Sequence, residues 1–196
     1  MAQSGIDLIA GLGNPGGRYA ATRHNAGFWF LERLQEQRSF RLASEKRFHA
    51  EVGDAIVGGH RVRIVAPATF MNESGRSIAP LASFFRIAPA RILVVHDELD
   101  LAPGRVRLKR GGGHGGHNGL RDIIARLGNA DFMRLRIGIG HPGAERDVSG
   151  YVLAKPDAID RGLIDDALAR ALAALDEIVA GDFDAATKQL HSAEPR

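Results

Sequence analysis

The apolar positions of the chain follow two periods, which predicts strands and helices in alternation. Runs with apolar residues at every second position, or in an unbroken series, are typical of strands, and the spacing i, i+3, i+4, i+7 is typical of a helix face. The predicted strands are 6–10, 48–57, 60–66, 92–95, 105–109 and 135–139. The predicted helices are 26–37, a segment that follows Gly75, 120–127, 157–180 and 183–191. This order, with one hairpin around Gly58-Gly59, predicts a single-domain α/β fold over residues 1–196, a three-layer sandwich in which helices flank a twisted mixed β-sheet.

Some helix positions can be assigned in more detail. Asn25 is a candidate N-cap for the helix 26–37, because its short side chain can accept from the first free backbone N–H groups. Gly128 suits the left-handed residue that ends the helix 120–127. The helix after Gly75 has four apolar residues on one predicted face: Ile78, Leu81, Ala82 and Phe85.

The stretch 105–119 combines a basic strand with a glycine-rich loop. Within 105–109 the apolar side chains face one side and the cations the other, and the loop then carries His114, His117 and Asn118. Glycines let backbone N–H groups approach a ligand closely, and a following helix N-terminus favours anions. The stretch therefore predicts a phosphate-binding face, with a solvated turn as the alternative.

The distribution of charge favours the phosphate-binding interpretation. The formal net charge is +3, and five Lys and Arg residues but no acid lie between Arg105 and Arg121. Such an asymmetry is expected of a surface that binds nucleic acid. The chain has no cysteine, which excludes disulfides, thiolate nucleophiles and cysteine-ligated metals. With no signal pattern and no long apolar run, we expect a cytoplasmic protein that does not enter a membrane.

One glycine motif raises a competing hypothesis. Gly11–Gly16 is a literal G-x-G-x-x-G after a predicted strand, with Glu32 at about the distance required in a dinucleotide site. That fingerprint should open a helix, but Pro15-Gly16-Gly17 is typical of a turn and 18–25 lacks the apolar spacing of a packed helix. A dinucleotide-dependent enzyme is therefore the weaker alternative, which a titration with NAD would test.

Four polar residues lie beyond the ends of predicted strands: Asn14, Asn72, Asp97 and Asn118. If those strands are mostly parallel, the side chains meet at the edge where α/β sheets hold ligands, and His24 could reach the same edge. Taken singly, each residue has an ordinary interpretation as a helix cap, a turn residue, an ion-pair partner or a surface histidine. Their joint placement favours a site.

The residue types limit the chemistry of such a site. The chain has no G-x-S-x-G, H-E-x-x-H or Walker A motif. His114 and His117, with Asp97, could bind a metal, although histidines in a glycine loop lack the rigid spacing of metal sites. A histidine, a carboxylate and several amides suit attack of water on an ester. The histidine takes the proton, the carboxylate fixes its tautomer, and amide N–H groups bind the oxyanion.

Seven stretches together resemble the motifs of bacterial-type peptidyl-tRNA hydrolases, in the same order, from about residue 6 to residue 191. They are Gly11–Gly16, Tyr19, Thr22–Asn25, Phe70–Asn72, His96–Asp100, Gly111–Gly119 and Arg134–Pro142. The resemblance implies one hydrolase-like domain that acts as a monomer without cofactor or metal. Its partner would be peptidyl-tRNA, bound at the acceptor stem and 3′ end. It would hydrolyse the ester between that end and a peptide or N-blocked amino acid, recycling tRNA from aborted translation.

The resemblance also implies roles for individual residues. His24 would be the base that acts on water, and Asp97 would orient its ring. Three amides would bind the peptide backbone and terminal ribose and help to hold the water or oxyanion: Asn14, Asn72 and Asn118. The cleft would be lined by Tyr19, Met71 and His117. The 5′ phosphate and acceptor stem would be clamped by Arg107, Lys109 and Arg136, with Arg107 at a position where the family more often has lysine.

A non-catalytic RNA-binding protein on the same scaffold is the main rival. Some organellar splicing factors reuse this scaffold, and they would carry a transit segment that this sequence does not show. The two hypotheses differ in whether bound RNA is released from its peptide.

Overall fold

The computed structural model describes residues 5–143 and 147–192, and a seven-stranded mixed sheet forms its middle layer. The strands are β1 (Leu8–Gly11), β2 (Ala43–Glu45), β3 (Ala50–Val57), β4 (His60–Pro67), β5 (Ile92–Glu98), β6 (Val106–Arg110) and β7 (Met133–Gly138), in the order β2-β3-β4-β1-β5-β7-β6. β4, β1, β5 and β7 run parallel to one another. The β2–β3, β3–β4 and β6–β7 pairs are antiparallel.

Helices cover both faces of the sheet. The described helices are α1 (Ala26–Gln37), α2 (Gly75–Phe84), α3 (Asn118–Leu127), α4 (Val148–Val152), α5 (Ala158–Ala173), α6 (Leu175–Ala180) and α7 (Phe183–Ser192). One apolar core joins a face of the sheet to α1, α5, α6 and α7, and a second joins the other face to α2 and α3. The predicted single-domain α/β sandwich with a mixed sheet is therefore confirmed. Within residues 5–143 and 147–192, no helix has the length and apolar character needed to cross a bilayer.

Close packing of α1 on the sheet determines where the preceding turn lies. A Cβ added at Gly27 would be 2.3 Å from the backbone nitrogen of Leu12 and 2.5 Å from the carbonyl oxygen of Val95. Only glycine allows the helix to approach β1 and β5 so closely. As a result, the turn Arg23–Asn25 at the start of α1 lies directly over the carboxyl ends of these two strands.

The direction of β6 differs from the assumption behind the predicted site. β6 is antiparallel to β7, so its last residue, Arg110, pairs with Met133 at the amino end of β7. Alternation of apolar residues gives the period of a strand but not its direction. Asn118 therefore reaches the site only because the intervening loop returns along the sheet.

Two helix predictions also need correction. The segment 157–180 forms two helices, α5 and α6, because Ala174 leaves the helical conformation with φ −91° and ψ 4°. The apolar stripe runs through this break without interruption, so its period gave no sign of it. Phe85 lies beyond the end of α2 and is 36% exposed, although Ile78, Leu81 and Ala82 are buried as predicted.

Candidate active site

A cavity of about 610 Å³ opens at the carboxyl ends of the parallel strands. Its wall includes seven of the sequence-predicted residues: Asn14, His24, Met71, Asn72, Asp97, His117 and Asn118. Tyr19 is placed outside this wall, where its ring packs edge-on against Phe70 at a centroid distance of 6.1 Å. The structure thus brings together most of the residues that sequence reasoning had placed at one edge.

His24 and Asp97 form a buried hydrogen-bonded pair. Nδ1 of His24 lies 2.9 Å from both carboxylate oxygens of Asp97, whose exposed fraction is 2%. Because an ionised carboxylate only accepts hydrogen bonds, Nδ1 carries the proton of the neutral ring, and Nε2 is unprotonated. Nε2 has no hydrogen-bond partner within the described part of the chain, and His24 faces the cavity. Burial lowers the pKa of His24, but the charge and hydrogen bond of Asp97 raise it more, so the pKa lies above its usual value.

Asp97 also receives a hydrogen bond from His117. Nε2 of His117 is 2.9 Å from Oδ1 of Asp97, and Nδ1 of the same ring accepts the backbone N–H of Leu120 at 3.3 Å. The Leu120 contact fixes the proton of neutral His117 on Nε2, which faces Asp97. Burial opposes ionisation of Asp97, but His24 and His117 together hold the pKa of its carboxyl far below the usual range.

Asn14 is held in place by the side chain of Asn25. The amide of Asn25 donates to the carbonyl of Asn14 at 3.0 Å and accepts its N–H at 2.9 Å, so Asn25 does not cap α1 as predicted. Oδ1 of Asn14 accepts the N–H of Met71 at 2.7 Å. Its Nδ2 makes no hydrogen bond within the described residues, which leaves an N–H donor at the cavity wall.

Asn72 and Asn118 are not helix caps. Asn72 lies in a short turn ahead of α2, and the side chain that caps α3 belongs to His117. Both asparagines are exposed at the cavity, and neither side chain has a hydrogen-bond partner within residues 5–143 and 147–192. Their amides are therefore available to a ligand, which removes the capping interpretation of both.

His96 supports His117 from inside the protein. The two rings meet edge to face with centroids 5.0 Å apart, and Nδ1 of His96 lies 2.7 Å from the carbonyl oxygen of Asp97. Burial, followed by the repulsion that a protonated His96 would meet from a protonated His117, lowers the pKa of His96 to about 3. The ring therefore stays neutral at ordinary pH and adds no positive charge beneath the site. Sequence reasoning included His96 in the stretch His96–Asp100 that resembles the family but gave it no role of its own.

The β6–β7 pair carries a basic face, which we define as Arg107, Lys109, Arg134 and Arg136. In the strand register Arg107 lies opposite Arg136, and Lys109 lies opposite Arg134. Like charges directly opposite each other destabilise a sheet, so this arrangement favours an anionic ligand. Lys109 is exposed and makes no ion pair with a described residue, whereas Nε of Arg136 is 2.9 Å from Glu98 at the cavity wall.

The family model described as "Peptidyl-tRNA hydrolase" matches residues 8–196. The chain belongs to this family. A peptidyl-tRNA hydrolase of Delftia acidovorans is 52% identical over 190 residues, covering 97% of this chain and 92% of that protein. One of Neisseria gonorrhoeae is 54% identical over 187 residues, covering 95% and 97%. A crystal structure of the peptidyl-tRNA hydrolase of Acinetobacter baumannii superposes with a TM-score of 0.95 at 48% identity, and each chain is covered completely.

Membership of the peptidyl-tRNA hydrolase family confirms the resemblance found in the sequence. It also agrees with the structure around Gly11–Gly16, where the dinucleotide hypothesis needed a helix. The described residues between β1 and the turn Arg23–Asn25 contain no helix. Gly13 packs under the ring of Phe28, with an added Cβ only 2.5 Å from it, and an added Cβ at Gly11 would be equally close to Leu31, so these two glycines serve close packing. The dinucleotide hypothesis is therefore not supported.

The site can also be tested for metal binding. In the described part of the chain, one group has suitable ligand atoms close together, namely His24, Asp97 and His117, with these atoms within 4.8 Å of one another. Nε2 of His117 carries a proton, because Nδ1 accepts from Leu120, so Nε2 donates a hydrogen bond to Asp97 and has no lone pair for a metal. His114 is not in the group, and its Nδ1 accepts the N–H of Gly116 at 3.0 Å. The hydrogen bonds of this family member suit proton transfer better than metal ligation.

Arg23 is a further residue whose contacts the sequence did not predict. Its guanidinium lies 4.1 Å from the ring centroid of Tyr151 and donates to the carbonyl of Lys155 at 3.1 Å. Tyr151 in turn donates to the carbonyl of Ile139 at 2.7 Å. These contacts hold α4, which forms one wall of the cavity, beside His24. The contacts of Arg23 join segments that are about 130 residues apart, and periodicity carries no signal for them.

Proposed function

We propose that the chain hydrolyses the ester bond between the 3′ end of tRNA and a peptide or N-blocked amino acid. The observation that carries this proposal is the pairing of His24 with Asp97, which leaves the unprotonated Nε2 of His24 at the wall of an open cavity. Family membership supplies the substrate class, since the relatives are named peptidyl-tRNA hydrolases. We further propose that the chain acts as a single-domain monomer without a cofactor.

His24 acts as the general base in the proposed mechanism. Nε2 takes a proton from a water molecule while the water oxygen attacks the ester carbon. Asp97 holds the ring in the required tautomer and stabilises the imidazolium that forms. The imidazolium then returns the proton to the departing 3′ oxygen of tRNA. A base placed in this way contributes about 10²–10⁴-fold in rate.

Asn14 is the best placed donor for the oxyanion. Its Oδ1 is occupied by the N–H of Met71, so only its N–H groups can face the substrate. A fixed N–H donor stabilises the negative charge that develops on the ester oxygen, and one such donor contributes about 10²–10³-fold. Asn25 holds the backbone of Asn14 on both sides, which keeps this donor in position before substrate binds.

The remaining wall residues bind the substrate on either side of the ester. The exposed amides of Asn72 and Asn118 pair with the peptide backbone and terminal ribose, because both can donate and accept. Met71 and His117 line the cleft, and we place Tyr19 at its outer rim through its contact with Phe70.

Arg107, Lys109 and Arg136 bind the 5′ phosphate and acceptor stem in this proposal. Phosphate contacts position a nucleic acid without reading its sequence, which suits an enzyme that acts on many tRNAs. Glu98 already holds Arg136, so a phosphate would share this arginine with a carboxylate. Lys109 is therefore the cation from which we expect the larger contribution.

Hydrolysis in ¹⁸O-labelled water tests the proposed reaction. The substrate is an N-blocked aminoacyl-tRNA, and both products are collected. Attack by water on the ester carbon places one ¹⁸O in the released carboxylate and none in the 3′ hydroxyl of tRNA. Label in the tRNA would contradict the mechanism. Binding of the substrate without any release would favour the non-catalytic RNA-binding protein.

A further inference from the structure

The loop that precedes His117 has to run along most of the length of β7 to reach Asp97. β6 ends at Arg110 opposite Met133, whereas Asp97 pairs with Ile137 near the other end of β7. These two points on β7 are roughly 13 Å apart at the usual rise of a strand. We call the returning segment, Gly111–Gly116, the glycine loop. His117 and Asn118 follow it directly.

The glycine loop has little to fix its own conformation. Four of its residues, Gly111, Gly112, Gly115 and Gly116, have positive φ. A segment of this kind loses much conformational entropy when it adopts one structure. Its backbone hydrogen bonds include Gly111 N–H to the carbonyl of Phe132, and His117 N–H to the carbonyl of His114. Neither bond fixes the middle of the loop.

Arg134 holds the middle of the loop. Its Nη1 donates to the carbonyl of Gly113 at 2.5 Å, and its Nη2 donates to the carbonyl of Gly112 at 2.6 Å. The residue is 3% exposed, and its guanidinium lies 4.7 Å from the ring centroid of Phe132. Two donors of one planar group on two successive carbonyls fix both the position and the direction of the chain.

The charge of Arg134 is not balanced by a direct ion pair. No carboxylate lies within ion-pair distance of it among residues 5–143 and 147–192, although Glu98 partly offsets the unfavourable surroundings from beyond that distance. Lys109 lies opposite it in the strand register. Burial, followed by the charge of Arg136, lowers the pKa of Arg134. An arginine in such a place is unfavourable unless the loop carbonyls satisfy it.

We propose that Arg134 is a positioning residue for the active site, which fastens the glycine loop to β7 and so places His117 and Asn118 beside Asp97. The proposal rests on the proposed function, because it assigns Arg134 to the same reaction. Arg134 itself touches neither the water nor the ester. It acts through the Nε2–H of His117, which donates to Asp97, and through the exposed amide of Asn118.

The test compares Arg134→Met and Arg134→Lys with the wild type in steady-state hydrolysis of an N-blocked aminoacyl-tRNA. For Arg134→Met we expect kcat to fall about 10–100-fold, the loss typical when a side chain that orients an active-site group is removed, with a smaller rise in KM because Asn118 also binds substrate. Arg134→Lys should recover part of kcat, since lysine keeps the charge but not the paired donors. Arg126→Met is the matched control, because Arg126 lies on α3 in an exposed ion pair with Asp122.

A second readout does not depend on activity. In the wild type, NMR should detect the Nε2 proton of His117 as a slowly exchanging imidazole resonance. We expect this resonance to be lost in Arg134→Met and weakened in Arg134→Lys, while Arg126→Met retains it. If the wild type fails to hydrolyse the substrate, the proposed function fails, and this measurement still tests the role of Arg134.

Three outcomes would overturn the proposal. Unchanged kcat in Arg134→Met would show that the loop needs no such anchor. A raised KM with kcat retained would assign Arg134 to phosphate binding instead. Persistence of the His117 resonance in both variants would show that the hydrogen bond from His117 to Asp97 does not depend on Arg134. Should Arg134→Met not fold, Arg134→Lys decides alone, and wild-type kcat and resonance in that variant would contradict the proposal.

Discussion

At the scale of single residues, one carboxylate organises two imidazoles. Asp97 accepts from Nδ1 of His24 and from Nε2 of His117, each at 2.9 Å. His24 presents its free nitrogen to the cavity, whereas the remaining nitrogen of His117 is used to cap α3. Two histidines beside the same acid thus have different tasks, because their second nitrogens have different partners.

Replacement of Asp97 by asparagine should change both the rate and the pH profile. The amide can bind the ring of His24 in the wrong tautomer, so we expect kcat to fall by about 10²–10⁴-fold with a smaller change in KM. The base must be neutral, and Asp97 raises the pKa of His24 whereas burial lowers it. The acid limb of kcat/KM should therefore lie above pH 6.5 in the wild type and move to lower pH in Asp97→Asn.

The control for that experiment is Asp100→Asn, since Asp100 is exposed and lies in the same segment. It should keep both the rate and the acid limb of the wild type. Unchanged turnover in Asp97→Asn, or an acid limb displaced to higher pH, would contradict the role given to Asp97.

Sequence reasoning found the residues that follow strand ends but missed those that hold them. Asn14, Asn72 and Asp97 could be placed because parallel strands bring their carboxyl ends to one edge. Asn25 was taken for a helix cap, and Arg134 was given no role. Their partners are backbone groups of other segments, which no local pattern of residue types reveals.

At the scale of elements, periodicity predicted where strands and helices occur. It did not predict the direction of a strand or the position at which a helix breaks. The hairpin, the buried central strand and the amphipathic α3 agree with their patterns. The direction of β6 and the break at Ala174 do not follow from any periodicity, because both depend on packing against other segments. The two-residue strand period even made β6 look equivalent to the parallel strands.

The approach of α1 to the sheet gives a prediction for stability. Gly27→Ala would place a Cβ 2.3 Å from the nitrogen of Leu12, and backbone atoms cannot yield easily. We expect a loss of about 1–3 kcal/mol in the free energy of unfolding, measured by urea denaturation. Activity should also fall, since the turn that holds His24 precedes this helix directly.

Gly162→Ala on α5 is the matched control. No atom lies within 4 Å of an added Cβ at this position, so the substitution should stabilise the protein by about 0.5–1 kcal/mol through helix propensity. A Gly27→Ala variant as stable as the wild type would contradict the close packing described here.

At the scale of the whole molecule, the cavity and the basic face, to which we assign hydrolysis and tRNA binding, occupy neighbouring regions of one sheet. The cavity lies at the carboxyl ends of β1, β4 and β5, and the basic face lies on β6 and β7. The cluster of cations between Arg105 and Arg121 was visible in the sequence, although the net charge of +3 gave little indication of it. The order of motifs along the chain identified the family, since together they span nearly its whole length.

Lys109→Ala tests this division between the two regions. It should weaken tRNA binding and reduce the slope of log K against log salt by about 1, as expected for one lost phosphate contact. Hydrolysis of a minimal N-blocked ester without the acceptor stem should be unaffected. Equal loss of activity on both substrates would contradict the separate roles of the basic face and the cavity.

The most direct measurement of the central claim is release of free tRNA from an N-blocked aminoacyl-tRNA in the presence of EDTA. Wild type, His24→Ala and the surface control His191→Ala are compared after each is shown to bind tRNA. We expect release by the wild type and by His191→Ala, and a rate at least about 10²-fold lower for His24→Ala with binding retained. Wild-type release by His24→Ala, or binding without release by all three proteins, would contradict the claim that His24 and Asp97 carry out ester hydrolysis.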